Sequence, residues 1–256
     1  VLQAFDRVRA GSAELLLVTG AAGVGKSSLV HEVHPPMTAA RGVFMAGKFD
    51  QYQRHMPYAA LIQAFQDGLA FVLSESEARL AVWKTTLLQA VGQNGKVLTE
   101  VLPNLELIIG PQPEIAPLGP TDAQHRFNYV FGNFVKALAQ PDHPLVLFLD
   151  DLQWADSASL NLLKVLMTDP DLRYLLCIGA YRDQEVSRSH PLIMTIEELR
   201  QAQVPITTMT VADLSLEHVG DLLSDTLHHP DGIRELAQVI YAKTHGNAFF
   251  VKQVVQ

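Results

Sequence analysis

An open α/β sheet of parallel strands is the fold class this sequence predicts, and three observations predict it. Short, nearly continuous apolar runs recur along the chain, as buried parallel strands do. Helix-length segments separate them, which calls for right-handed crossovers. The first run also breaks into glycine and passes directly into a helical pattern.

ELLLVT (14–19) is the first predicted strand, and Gly20-Ala21-Ala22-Gly23-Val24-Gly25-Lys26-Ser27 follows it. This fits G-x-x-x-x-G-K-[ST] with a strand before and a helix after, the context the pattern requires. Phosphates need several backbone N–H groups turned into one concavity, and residues without side-chain bulk allow that turn. The helix starting near Lys26 adds its positive N-terminal end. Residues Gly20 to Ser28 are therefore the candidate phosphate cradle, Ser28 included. Lys26 is expected to reach the β- and γ-phosphates, and Ser27 to ligate Mg²⁺.

VFMAGKF (43–49) is the second strand, with Lys48 and Asp50 at its carboxyl edge, placed for a role near metal or water that the sequence leaves open. A long interval, about 51–140, separates it from the third strand, more than one crossover helix needs. Helices are expected over 58–73, 76–92 and 121–139, with a Pro- and Gly-rich loop at 110–120. The last of these helices places Phe127, Val130, Phe131, Phe134, Val135 and Leu138 on one face, and Thr121 and Gln124 have capping-box spacing. The interval either docks a partner or thickens the core.

PLVLFLD (144–150) is the third strand and ends in Asp150 and Asp151. At a strand tip facing a phosphate cradle, Asp150 would hold the metal's water shell and Asp151 would orient or deprotonate the attacking water. Alternatively, both are solvated aspartates before a helix. Gln153 reads as a water-positioning or helix-N-terminal residue, and Trp154 as a crevice residue or a contact for a lid or partner. YLLCIGAY (174–181) is the fourth strand. Arg182 follows it at the ligand edge, either against the γ-phosphate or in a surface ion pair with Asp183 or Glu185. ITTMTV (206–211) is the fifth strand. Beyond it the pattern is helical, a partial lid over 212–256 set against a core over 1–211.

Composition fits this reading. Of 256 residues, 48% are hydrophobic and 18% charged, a globular chain with a sizeable core. A net charge of −8 and the lack of any basic run argue against a general nucleic-acid surface. No apolar stretch approaches the roughly 18 residues of a membrane span. The lone Cys177 forms no internal disulfide and reads as a buried strand residue, in keeping with a reducing, cytoplasmic setting. His228-His229 reads as surface, because adjacent histidines diverge on a helix and no third ligand stands at useful spacing. The chain lacks a leader pattern and an initiator Met and stops inside a helical pattern, so it is expected to be a segment of a longer protein.

Together, GAAGVGKSSLV, KFDQYQRHMPYAALIQAF, LFLDDLQWADSASLNLL, IGAYRD and THGNAFFV resemble the AAA-like ATPase domain of signal-transduction ATPases with numerous domains (STAND). The likeness is to the ATPase module of bacterial proteins that join a serine/threonine kinase, this domain, a GAF domain and often a histidine kinase. It implies a sheet ordered 5-1-4-3-2 with helices on both faces, and a lid closing on ATP or ADP with Mg²⁺. It also implies slow hydrolysis acting as a switch for flanking kinase and sensor domains. It carries over Gly20, Gly25, Lys26 and Ser27 as the P-loop, Asp150 and Asp151 as the acidic strand end, and Arg182 as the sensor. The lid motif departs from the family pattern, with Ala248 where a proline that packs on adenine is usual. Arg200, just before the fifth strand, reads either as a charged helix face or as an arginine finger in an oligomer. Three functions stay open: a slow switch ATPase, a nucleotide-stabilised docking module, and an oligomeric remodelling ATPase.

Overall fold

The computed structural model describes residues 1–32, 34–39, 42–52, 56–227 and 233–255. Helix α1 (Leu2–Arg9) precedes strand β1 (Ala13–Thr19), which leads through the glycine loop into α2 (Lys26–His31) and α3 (His34–Ala39). Strand β2 (Val43–Lys48) is followed by α4 (Ala59–Leu73), α5 (Glu77–Val91), α6 (Gly95–Thr99), α7 (Pro103–Ile109) and α8 (Pro120–Leu138). Then come β3 (Leu145–Asp150), α9 (Ser157–Met167), β4 (Leu175–Tyr181), α10 (Pro191–Gln201) and β5 (Ile206–Thr210). Helices α11 (Leu216–Leu227), α12 (Ile233–Thr244) and α13 (Ala248–Val255) close the chain.

All five strands run parallel in the order β2-β3-β4-β1-β5, the expected order read from the other edge. Because successive strand residues face opposite sides, the core has two layers. Leu16, Val18, Val146, Phe148, Leu176 and Ile178 point to a small layer closed by Phe5 and Val8 of α1, Val30 of α2 and Met37 of α3. Leu15, Leu17, Met45, Leu147, Leu149 and Cys177 face a much larger layer, built by the helices of the 51–140 interval with α9 and α10. The expected apolar face of α8 is buried there, with Phe65 of α4 edge-on to Phe131 at 4.9 Å. The interval thus thickens the core. The last helices form a separate apolar cluster of Val219, Leu223, Ala237, Ile240 and Val251.

The capping-box expectation at Thr121 fails. Helix α8 starts one residue earlier, with Pro120 in its first turn after Gly119, so Thr121 lies inside the helix. Proline's fixed φ and missing N–H suit a first turn and override the Thr/Gln signal. Gln124 instead extends its amide to the Tyr58 hydroxyl at 3.5 Å. His228-His229 lies outside the described residues.

Candidate functional site

The carboxyl ends of β1, β2, β3 and β4 lie side by side, and the loops leaving them bring the candidate residues together. Gly20, Gly23 and Gly25 take φ values of 149°, 76° and 102°. At Gly20 an added Cβ would stand 2.4 Å from the Val211 carbonyl oxygen, so the turn off β1 admits only glycine. Gly25 leads into α2, of which Lys26 is the first residue.

Lys26 is buried and turns back into the loop it closes, donating to the Gly20 and Ala21 carbonyls at 2.8 Å each. Burial lowers its pKa first, and the positive Arg182 lowers it further, against the opposing charges of Asp150, Asp151 and Asp183. Ser27 Oγ donates to Asp150 Oδ2 at 2.7 Å, linking groups 123 residues apart. Ser28 is exposed.

Asp150 and Asp151 are both buried, at 8% and 5% exposure, so neither is a solvated helix cap. The helix that follows is capped by Asp156, which accepts from Ser159 N. Asp151 has a left-handed backbone (φ 55°), and its N–H donates to Asp150 Oδ1 at 3.0 Å. Its own Oδ1 accepts from Gln153 Nε2 at 3.0 Å and lies 3.3 Å from Arg182 Nε. Its Oδ2 lies 3.2 Å from Lys48 Nζ, which also stands 3.6 Å from Asp150 Oδ2. Burial works against the charged form of Lys48, yet hydrogen bonds and charges from the two aspartates outweigh it and raise its pKa.

Arg182 makes the ion pair expected of it and reaches further into the site. It pairs with Glu185 at 2.7 Å, and it also reaches Asp151, lying 4.8 Å over the Trp154 ring. Gln153, in the short turn after Asp151, joins these parts, because its Oε1 accepts from Arg182 N at 3.2 Å. Its side chain ties the ends of β3 and β4, a use the sequence did not suggest. Asp50 is exposed and accepts from Tyr52 N at 2.8 Å.

The G-N-A-F-F segment (246–250) docks on the glycine loop. Asn247 Nδ2 donates to Ala22 O at 2.9 Å and Phe249 N donates to Gly23 O at 2.9 Å. Ala248 faces Gly25, its Cβ 3.8 Å from where a Cβ on that glycine would stand. Only the glycine run in the loop and the G-N-A-F-F string hinted at this pairing. Arg200 is apart from this cluster, in the last turn of α10, paired with Glu197 at 2.6 Å.

Ser27 Oγ and Asp150 Oδ2 are hard oxygen donors that converge on one point, which suits Mg²⁺ held partly by nucleotide phosphates. Among the described residues, no cluster of three or more His, Cys, Asp or Glu gathers to hold a metal.

A five-stranded parallel sheet in this order, with a glycine cradle on β1 and acids at the tip of β3, defines an AAA-like P-loop NTPase. The chain belongs to the AAA ATPase domain family, whose model matches residues 1–178. It is 31% identical, over 98% of its length, to hybrid signal transduction histidine kinase G of Dictyostelium discoideum, a eukaryotic protein, so the likeness is not confined to bacteria. The chain spans only 9% of that relative. Among solved structures, the Cdc6p of Pyrobaculum aerophilum matches 99% of the chain and 59% of its own length, at a TM-score of 0.53 and 13% identity. A STAND protein with a tetratricopeptide repeat sensor from Pyrococcus horikoshii overlays the whole chain and 29% of its own, at a TM-score of 0.47 and 14% identity. No helix among the described residues is long and apolar enough to cross a membrane.

Proposed function

We propose that this chain is a nucleotide-operated switch module of the STAND kind within a larger cytoplasmic signalling kinase, binding ATP with Mg²⁺ and hydrolysing it slowly. The observation that carries this reading is the Ser27–Asp150 bond at 2.7 Å, which sets the phosphate loop against the acidic strand tip. The backbone N–H groups of residues 20–28 and the start of α2 receive the phosphates, and Lys26 exchanges its two carbonyl partners for phosphate oxygens. Ser27 and Asp150 hold the Mg²⁺, which when bound neutralises phosphate charge.

Water attacks the γ-phosphorus, the bond to the β–γ bridging oxygen breaks, and ADP leaves with that electron pair. Asp151, buried and held by Gln153, orients the water and takes its proton, while Lys26 and Arg182 offset charge on the transferring group. Residues 1–211 form the ATPase core and 212–256 a partial lid whose hold on residues 22 and 23 reports nucleotide state. Flanking kinase and sensor domains of the same polypeptide are the partners that read it. The 51–140 interval is tied to the cap of the helix that follows the acidic strand tip, since Tyr58 N donates to Asp156 Oδ2 at 3.3 Å. A protein partner docked on that interval would act through this tie. An oligomer using Arg200 in a neighbour's site is the less favoured reading, because Arg200 is already paired within its own helix.

Equilibrium binding of ATP and ADP with Mg²⁺, for wild type beside Lys26→Ala, tests the proposal. Binding is expected in the wild type and loss of at least tenfold in the variant, the worth of a charged hydrogen bond to phosphate. Equal affinity in both proteins would refute it.

A further inference from the structure

Lys48 is not part of the phosphate loop, the acidic strand tip or the sensor arginine, yet it touches the centre of the site. We infer that Lys48 is a γ-phosphate-reading residue, a movable cation that rests on Asp150 and Asp151 and transfers to the terminal phosphate of ATP. This inference rests on the nucleotide-site reading above.

Three observations carry it. First, the position of its backbone is fixed. Lys48 sits opposite Asp150 in the β2–β3 register, and Phe49 N donates to Asp150 O at 3.0 Å. Behind it, a Cβ on Gly47 would stand 2.1 Å from the Ala60 carbonyl oxygen, so α4 presses directly on the strand.

Second, its head group is the most exposed cation of the cluster. Its side chain is 65% exposed against 26% for Arg182, which is also held by Glu185 and by the Trp154 ring. A four-carbon stem ending in a compact point charge can exchange one anion for another with little rearrangement.

Third, its present partners are the oxygens that the reaction needs. Asp151 Oδ1 is occupied by Gln153 and Arg182, so Oδ2, now 3.2 Å from Lys48, is the oxygen left to address water. Asp150 Oδ2, 3.6 Å from Lys48, is the same atom that Ser27 bonds. While Lys48 rests there, it screens both carboxylates. A γ-phosphate arriving beside them draws the ammonium away and frees both oxygens, and ADP, which lacks that group, does not. The site is thereby held inactive until ATP is present.

The test is binding of ATP and of ADP, each with Mg²⁺ and again with EDTA, to wild type, Lys48→Met and Lys48→Arg. Thermal melts of all three check that the fold is intact. Lys48→Met is expected to lose about ten- to hundredfold in ATP affinity, the range for a charged hydrogen bond to phosphate, with ADP affinity changed less than about threefold. Lys48→Arg should keep most of the preference. The EDTA series should show the same ATP-selective loss, which separates a phosphate contact from an effect through the metal. If wild type binds both nucleotides, Lys26→Ala loses them, and Lys48→Met affects ATP and ADP alike or not at all, this inference falls and the nucleotide-site reading stands. If the wild-type chain binds neither nucleotide, both fall.

Discussion

The contact between lid and phosphate loop is most sharply probed at Gly23. Gly23→Ala places a side chain at φ 76°, a left-handed conformation that costs an L-residue about 1–2 kcal/mol. Its Cβ would meet Asn247 Oδ1 at 2.8 Å and Phe249 Cβ at 3.1 Å, so the start of α13 must withdraw. Withdrawal removes two hydrogen bonds, Asn247 to Ala22 and Phe249 to Gly23, each worth about 1 kcal/mol net. The two lost bonds weigh about 2 kcal/mol against the docked lid, roughly thirtyfold in its closing equilibrium, while the backbone strain falls on the loop whether the lid is docked or not. The separate apolar cluster of the last three helices leaves them able to stay folded as they move away. Amide hydrogen exchange reads this directly. Protection at the Phe249 amide, which is bonded to Gly23 O, should fall about thirtyfold while Val251 within α13 and strands β1, β3 and β4 keep theirs. Unchanged protection at Phe249, or equal loss across the sheet, would refute the idea that the lid is latched through this glycine.

Two further predictions concern ionisable groups. Burial pushes the Cys177 thiol up to about 12, so a thiol reagent at pH 8 should modify it only at the rate of global unfolding; fast modification of the native chain would contradict its place in the core. Burial alone would raise the Asp169 carboxyl, but the hydrogen bond from Lys136 at 2.9 Å, aided by Asp171 N, outweighs it and lowers the pKa. That contribution is complete above the unfolded value near 3.8 and is lost as pH falls through the lower folded value. Asp169→Asn should therefore cost under about 1 kcal/mol at pH 7 in urea unfolding, with the gap to wild type closing in acid; a gap that widens in acid would reverse the sign.

Much of this was legible in the sequence because strong local signals agreed with the tertiary result. Apolar runs at 14–19, 144–150 and 174–181 had no alternative but buried strands, and the glycine spacing at 20–25 required a phosphate-type turn. The strand tips then met because parallel strands with crossovers put all their carboxyl ends on one edge. What stayed hidden depended on side-chain direction. The segment holding Gln153 reads as a helix entrance, and only the left-handed backbone at Asp151 turns Gln153 back toward Arg182. Lys48 was visible as a strand-end lysine, but its two carboxylate partners come from a strand about a hundred residues later. Helices α6 and α7 were missed because five and seven residues hold too few turns for a periodic signal, and their burial comes from packing on α5 and α8. At Thr121 two local signals competed, and the proline one residue earlier prevailed.

The central claim, that the Ser27–Asp150–Asp151 constellation turns over a metal nucleotide, is tested most directly by comparing ATP binding with phosphate release in wild type and Asp151→Asn. The expected result is unchanged or tighter ATP binding, with Mg²⁺-dependent phosphate release lowered about 10²–10⁴-fold, the usual worth of a positioned general base. Phosphate release at the wild-type rate from Asp151→Asn would contradict it, because the buried, doubly held carboxylate would then have no part in the chemistry.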